Sequence, residues 1–176
     1  MNGGLVMPTH SNPYAGSEIP KINDSGDRTK FETGAVRDMR AGKGRFDLVP
    51  LDVMSEYLKL EDKSGDRIVN QLKGFLHNPK ENVGWLYFAL RIFCNEAYND
   101  CAPTMFLEVA KHFEDGAVKY GENNWQKGIP PHVYIDSALR HYMKWLRKDT
   151  DEPHDRAFVW NIMCCIWEVE FHKEDK

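Results

Sequence analysis

The segment from His154 to Phe171 reads H-D-R-A-F-V-W-N-I-M-C-C-I-W-E-V-E-F, with almost no polar face. On a wheel of about 100° per residue, Ala157, Phe158, Val159, Trp160, Ile162, Met163, Cys164, Cys165, Ile166 and Trp167 cover nearly the whole circumference. A helix of that kind cannot lie against water, so other elements must surround it. Asp151 or Glu152 near the cap and Pro153 in the first turn suit its start. His154, Asn161 and Glu168 fall at i, i+7 and i+14 and form one polar stripe. Burying such a line is costly unless its members form a network or face a ligand. A structural network and a ligand or metal site both meet that condition.

Elements to enclose this helix are present. Residues 1 to about 30 are rich in Gly, Ser, Asn, Pro and Thr without a hydrophobic period, and read as a flexible arm. Phe31–Pro50 holds three glycines and several basic residues and reads as an extended strap. Helical patterns follow at Leu51–Leu60, Asp66–His77, Glu81–Asn99, Thr104–Tyr120 and His132–Lys148. Strand alternation is scarce. The expected fold is an all-α compact helical bundle, residues 31–176, preceded by the arm and the Gly/Lys/Arg-rich strap.

The 176 residues can bury a core for one such domain, and 41% hydrophobic with 28% charged residues excludes wholesale disorder. A net charge of −4 argues against a broad basic surface and against tight nucleic-acid binding. No apolar run reaches the ~18 residues of a membrane span, and no secretory leader is read. The four cysteines lack C-x-x-C spacing and read as small hydrophobes in a reducing compartment, so a cytoplasmic location is expected.

The wheel of Thr104–Tyr120 places Met105, Phe106, Val109, Ala110, Phe113, Ala117 and Tyr120 inward, with Glu108, Lys111, His112, Asp115 and Lys119 opposite. Glu114 falls within the apolar arc, where it needs an arginine partner, a metal or hydrogen-bond donors. In His132–Lys148 the inward residues are Tyr134, Ile135, Ala138, Leu139, Tyr142, Trp145 and Leu146. Asp136 and Arg140 can pair along the flank. His141 sits at the edge of that face, as a satisfied core histidine or a catalytic one.

Between these helices, Lys119–Pro130 reads K-Y-G-E-N-N-W-Q-K-G-I-P. Asn124 and Trp125 suit a base stacked on the indole and read by amides, and also suit a turn that covers helix ends. Gly42–Arg45 reads G-K-G-R but has no phosphate-loop pattern. Arg37, Arg40, Lys43 and Arg45 make it either a solvated loop or a basic strap for a triphosphate.

Four blocks carry a family resemblance: G-K-G-R-F-D-L-V-P (Gly42–Pro50), H-F-E-D-G-A-V-K-Y-G-E-N-N-W-Q-K-G-I-P (His112–Pro130), D-S-A-L-R-H (Asp136–His141) and D-E-P-H-D-R-A-F-V-W-N (Asp151–Asn161). The chain resembles the dATP/dGTP diphosphohydrolase domain-containing proteins common in phages and prophages. The stretch 61–103 reads as a segment that relatives shorten. The resemblance implies hydrolysis of a purine deoxynucleoside triphosphate to the monophosphate and pyrophosphate, with Mg²⁺ or Mn²⁺, in a bacterial host. On the matching positions it implies Arg37, Lys43, Arg45, Lys119, Asn124, Trp125 and Asn161 at the substrate. Arg140, His141 and His154 would serve catalysis, and Glu114, Asp136, Asp151 and Glu152 the metal. The E-E-x-x-E and E-x-x-D helices of all-α nucleotide pyrophosphatases are missing, so Glu108, Glu114 and Asp115 on one helix and Asp151 or Glu152 near another would have to substitute for them.

Two other functions fit the same residues. One is purine-nucleotide binding or sequestration without turnover. The other is an HD-type phosphohydrolase with His112 and the His154-Asp155 pair on the metal, against which the wheel places His112 on the polar face. The nearly all-apolar last helix also leads us to expect a homo-oligomer.

Overall fold

The computed structural model describes residues 26–38 and 63–172. The helix expected at Leu51–Leu60, the Gly42–Arg45 strap with Lys43 and Arg45, and the first 25 residues of the arm lie outside the described residues. Five helices are described: α1 Lys63–His77, α2 Val83–Tyr98, α3 Ala102–Tyr120, α4 Pro131–Arg147 and α5 His154–Glu170. A short hairpin precedes them, β1 Arg28–Lys30 and β2 Val36–Asp38. The all-α bundle expected from the sequence is thus the observed architecture, although Arg28–Lys30, read as part of the arm, is a strand.

Local chemistry sets the boundaries. Proline in the first turn opens α3 and α4, where a missing N–H costs nothing. Asn99 and Lys148, both at positive φ, close α2 and α4. The hairpin is antiparallel with Thr29 opposite Arg37. Its turn closes through Gly34 at φ 84°, with N–H donated to the Phe31 carbonyl at 2.9 Å.

Helix α5 is central, as its apolar circumference requires, and packs against α4, α3 and α2. Phe158 of α5 lies 4.3 Å from Phe93 of α2, centroid to centroid, and 5.6 Å from Tyr142 of α4. Burying aromatic side chains of this size contributes about 1.5–3 kcal/mol each. The 61–103 segment supplies Leu72, Phe75, Leu86 and Phe93 to this core.

Helix α3 is turned differently from its wheel. Its buried stripe is Met105, Val109 and His112, while Phe106, Leu107 and Val118 are exposed and Ala110 and Glu114 face solvent. The expectation of an inward Glu114 is therefore corrected, as is that of an outward His112. The cause is tertiary. Glu108 forms an ion pair with the buried Arg156 of α5, and Lys119 forms one with Asp38 of β2 at 2.9 Å. Charges with such partners can face inward, and they carry the helix face with them.

Gly74 of α1 meets the indole of Trp85 of α2. A Cβ at this position would stand 2.2 Å from Cε3 and Cζ3 of Trp85. Gly74→Ala is expected to destabilise by about 1–3 kcal/mol, because overpacking outweighs the gain in helix propensity. Urea unfolding should show a lowered midpoint at unchanged slope. A raised midpoint would mean that α1 and α2 do not meet here.

Candidate active site

The hairpin is pinned to the α3–α4 connection. Asn124 sits in the 3-10 turn Asn124–Gln126; its Oδ1 accepts from the Val36 N–H at 3.0 Å and its Nδ2 donates to the Val36 carbonyl at 2.8 Å. Thr33 Oγ1 donates to the Gly128 carbonyl at 3.1 Å. These bonds fix β2 so that the next residue, Arg37, enters the helical layer. Asn124 thus spends its amide on the backbone of Val36.

Arg37 lies 5.2 Å from the Tyr134 ring centre and 5.6 Å from that of Trp160. Its Nη2 donates to Ser137 Oγ at 3.1 Å and to Asn161 Oδ1 at 2.8 Å. Its Nη1 is buried without a hydrogen-bond partner. Both of its hydrogen-bond acceptors are neutral. Burial, helped by the Arg140 charge, lowers the pKa of the guanidinium. A buried cation held this way costs several kcal/mol unless an anion completes it.

More positive charge surrounds it. Asp136, Ser137, Arg140 and His141 share one side of α4 at i, i+1, i+4 and i+5. Arg140 donates to Ser137 Oγ at 3.0 Å and lies 3.5 Å from the fully buried Asp136 carboxylate. His112 enters from α3 with its Nδ1 buried and unpaired. Burial, then Arg156, Arg37 and Lys119, push His112 down to about 3. The Nε1 of Trp160 is also buried without a partner. Arg37 and His112 both stand within 6 Å of that indole, the latter at 5.9 Å.

At the α4–α5 connection two imidazoles meet, with His141 Nδ1 3.0 Å from His154 Nδ1. His154 Nε2 is 2.8 Å from Asp151 Oδ1, and Asp151 is also held by Lys144 at 2.7 Å. A carboxylate can only accept, so His154 Nε2 carries a hydrogen. In the neutral ring Nδ1 then accepts from His141 Nδ1–H. Partial burial would raise Asp151, but the hydrogen bonds from Lys144 and His154 outweigh it and hold the carboxyl at about 2. Burial first, then Arg140 and His154, lower His141 well below its ordinary range. One ligand atom each from His141, Glu152 and His154 lies within 4.8 Å of the others, as do atoms of Asp149, Asp151 and His154. These residues fit a divalent cation.

A cavity of about 340 Å³ opens beside the cationic cluster, between the end of α3 and the 3-10 turn. Phe113, Tyr120, Trp125 and Trp160 line it, with Glu114 and Glu122 among its polar residues. Trp160 therefore belongs both to this cavity and to the surroundings of Arg37. Trp125 is held edge-on by Phe113 at 5.6 Å and by Trp167 at 4.9 Å.

The structure brings Arg37, Arg140 and Asn161 together, and His141 with His154, Asp151 and Glu152. Trp125 and Glu114 line the cavity instead. Lys119, 7% exposed, is paired with Asp38, which also binds Arg28. Neither Glu114 nor Asp136 joins a metal-ligating group among the described residues. The same holds for His112 and Asp155; Asp155 accepts from Tyr98 at 3.0 Å. Sequence reasoning missed Ser137, the shared acceptor of both arginines, and Arg156. A basic residue inside the apolar arc of α5 was the available signal for Arg156.

Residues 95–176 match the model of the family described as dATP/dGTP diphosphohydrolase, N-terminal. Three of the four resembling blocks lie inside the matched residues, and Gly42–Pro50 lies outside them. No curated protein and no solved structure matches the chain. Among the described residues, no helix is long and apolar enough to cross a membrane.

Proposed function

We propose that this chain hydrolyses a purine deoxynucleoside triphosphate, dATP or dGTP, to the monophosphate and pyrophosphate with a divalent cation. The observation that carries the reading is the buried, unpaired Nη1 of Arg37 beside Arg140. Two guanidinium groups that share one serine form a receptor for a polyanion, with the unpaired Nη1 of Arg37 as a donor for a phosphate oxygen. The aromatic cavity beside them suits the nucleoside, with the base against Trp125 or Trp160.

Water attacks the α-phosphorus, the bond from that phosphorus to the α–β bridging oxygen breaks, and pyrophosphate leaves. When bound, the cation would polarise the phosphate oxygens and acidify a water. His141, His154 and Glu152 would hold it, with Asp151 supporting His154. Arg37 and Arg140 neutralise the charge that builds on the leaving pyrophosphate. Lys43 and Arg45 of the strap are proposed to join them. Asn161 orients Arg37, and Asp136 orients Arg140.

The setting proposed is the cytoplasm of a bacterial host, as a phage or prophage product. A homo-oligomer is proposed too, but for a different reason than the last helix, which its neighbours already enclose. Trp85, Tyr87 and Phe88 of α2 and Phe106, Leu107 and Val118 of α3 are exposed, and a second copy would cover them.

The test is incubation of the purified protein with each nucleoside triphosphate and Mg²⁺, Mn²⁺ or Co²⁺. Equal amounts of monophosphate and pyrophosphate are expected from dATP or dGTP, with solvent ¹⁸O entering the monophosphate. Release of orthophosphate alone would refute the reading. Tight binding with the nucleotide recovered unchanged would replace it by sequestration, which the same cations and cavity could serve.

A further inference from the structure

We infer that His141, His154 and Glu152 form a nitrogen-rich centre for a transition-metal ion of the Co²⁺ or Zn²⁺ kind, with Asp151 as its orienting residue. The inference deepens the hydrolase reading by naming the ion and dividing the ligands from their support.

The first observation is a distance. Two nitrogens bound to one ion at about 2.1 Å in tetrahedral geometry stand about 3.4 Å from each other, a few tenths of an ångström beyond a hydrogen-bonded pair. The Nδ1 atoms of His141 and His154 are separated by 3.0 Å. They come from different helices, α4 and α5, so the pairing is made by the fold and not by local spacing. Glu152, at the end of the α4–α5 connection, brings a carboxylate oxygen within 4.8 Å of both rings. On ion binding both Nδ1 lone pairs turn inward, and the hydrogen that His141 carries on Nδ1 moves to its Nε2.

The second observation is the far side of His154. Its Nε2–H is donated to Asp151 at 2.8 Å, and Asp151 is itself anchored by Lys144 at 2.7 Å. A ligating imidazole commonly gives its other N–H to a carboxylate, which fixes the ring and raises its basicity. Asp151 is therefore placed behind the ligand rather than on the ion. Asp149, the other carboxylate nearby, accepts from two guanidinium nitrogens of Arg147, Nε and Nη2.

Donor chemistry then selects the ion. Mg²⁺ prefers oxygen ligands and retains its waters, whereas two imidazoles and one carboxylate suit Co²⁺ or Zn²⁺ far better. Mg²⁺ would engage the site weakly.

The full chain, without nucleotide, is titrated with Co²⁺ and followed by its visible d–d absorption, and metal retained after dialysis is counted. One equivalent is expected, resistant to a hundredfold excess of Mg²⁺. His141→Ala and Glu152→Gln should each weaken retention at least tenfold, and Asp151→Asn should weaken it tenfold to a hundredfold. His172→Ala, an imidazole elsewhere paired with Glu168, should leave it unchanged. Near-UV circular dichroism monitors folding; the half-buried, isosteric Glu152→Gln decides the matter if His141→Ala does not fold. Absence of Co²⁺ and Zn²⁺ uptake, uptake indifferent to Glu152→Gln, or displacement by Mg²⁺ would each overturn the inference. Metal retention without pyrophosphate release would leave it standing and remove the hydrolase reading. Pyrophosphate release with Mg²⁺ by a chain that takes up no Co²⁺ would do the reverse.

Discussion

Arg37→Met is expected to abolish turnover while leaving the free protein as stable as before, or more stable. Losing one positioned charge donor costs about 10²–10³ in rate at sites that stabilise developing negative charge. Stability follows a different balance. The wild-type guanidinium is buried against two neutral acceptors, with Nη1 unpaired. Methionine removes the desolvation penalty of a cation, but leaves Asn161 Oδ1 without that donor, a loss of about 1–3 kcal/mol. Replacing buried charge by packed apolar volume is often neutral or stabilising by about 1–4 kcal/mol, so the two effects offset. The checks are pyrophosphate release and the urea midpoint of the same preparation. Pyrophosphate should raise the wild-type midpoint through binding to the folded state, and should leave that of the variant where it is. A variant that loses more than about 3 kcal/mol, as a broken buried ion pair does, would make Arg37 a structural clip. Arg37→Lys retains the charge without the fork and should fall between the two.

The second large effect is a dependence of stability on pH that runs through His112. The native imidazole titrates at about 3, against 6.5 for the ordinary group. Between those values the unfolded chain binds a proton that the native chain refuses. Stability is therefore complete above 6.5 and falls as pH drops, by about 1.4 kcal/mol per pH unit. The groups responsible, besides burial, are Arg156 from α5, Arg37 from β2 and Lys119 on the same helix. His141, also lowered, contributes with the same sign. His112→Leu should remove its own share, flattening the loss between about pH 6.5 and 5 by roughly 1.4 kcal/mol per unit. Carboxylates titrate lower and interfere little in that window. Urea midpoints at both ends measure it. An unchanged slope would show that His112 takes up its proton in the folded chain.

Much of this protein is legible along the chain. The apolar circumference of Ala157–Trp167 requires a central helix, and α5 is central. The prolines that open α3 and α4 act locally, so the helix boundaries come out within a few residues. His154 and Asn161 show as polar groups on a buried helix; His154 meets His141 and Asp151, and Asn161 meets Arg37. The face of α3 was not legible, because a wheel counts Glu108 and His112 as outward unless it knows of Arg156 and the packed interior. Glu114 was misplaced by the same rotation.

What the sequence by itself determines here is which segments are helices, which helix must be enclosed, and which polar residues require partners. These follow from backbone propensity and solvent avoidance, which act over neighbouring residues. Only the tertiary structure decides who the partners are. Asn161 lies 124 residues from Arg37, and the two meet because Asn124 clamps Val36 to the turn before α4. The two imidazoles face each other because α4 and α5 pack along their length. Charge satisfaction is settled between distant segments, so it is set by the fold and by no local pattern.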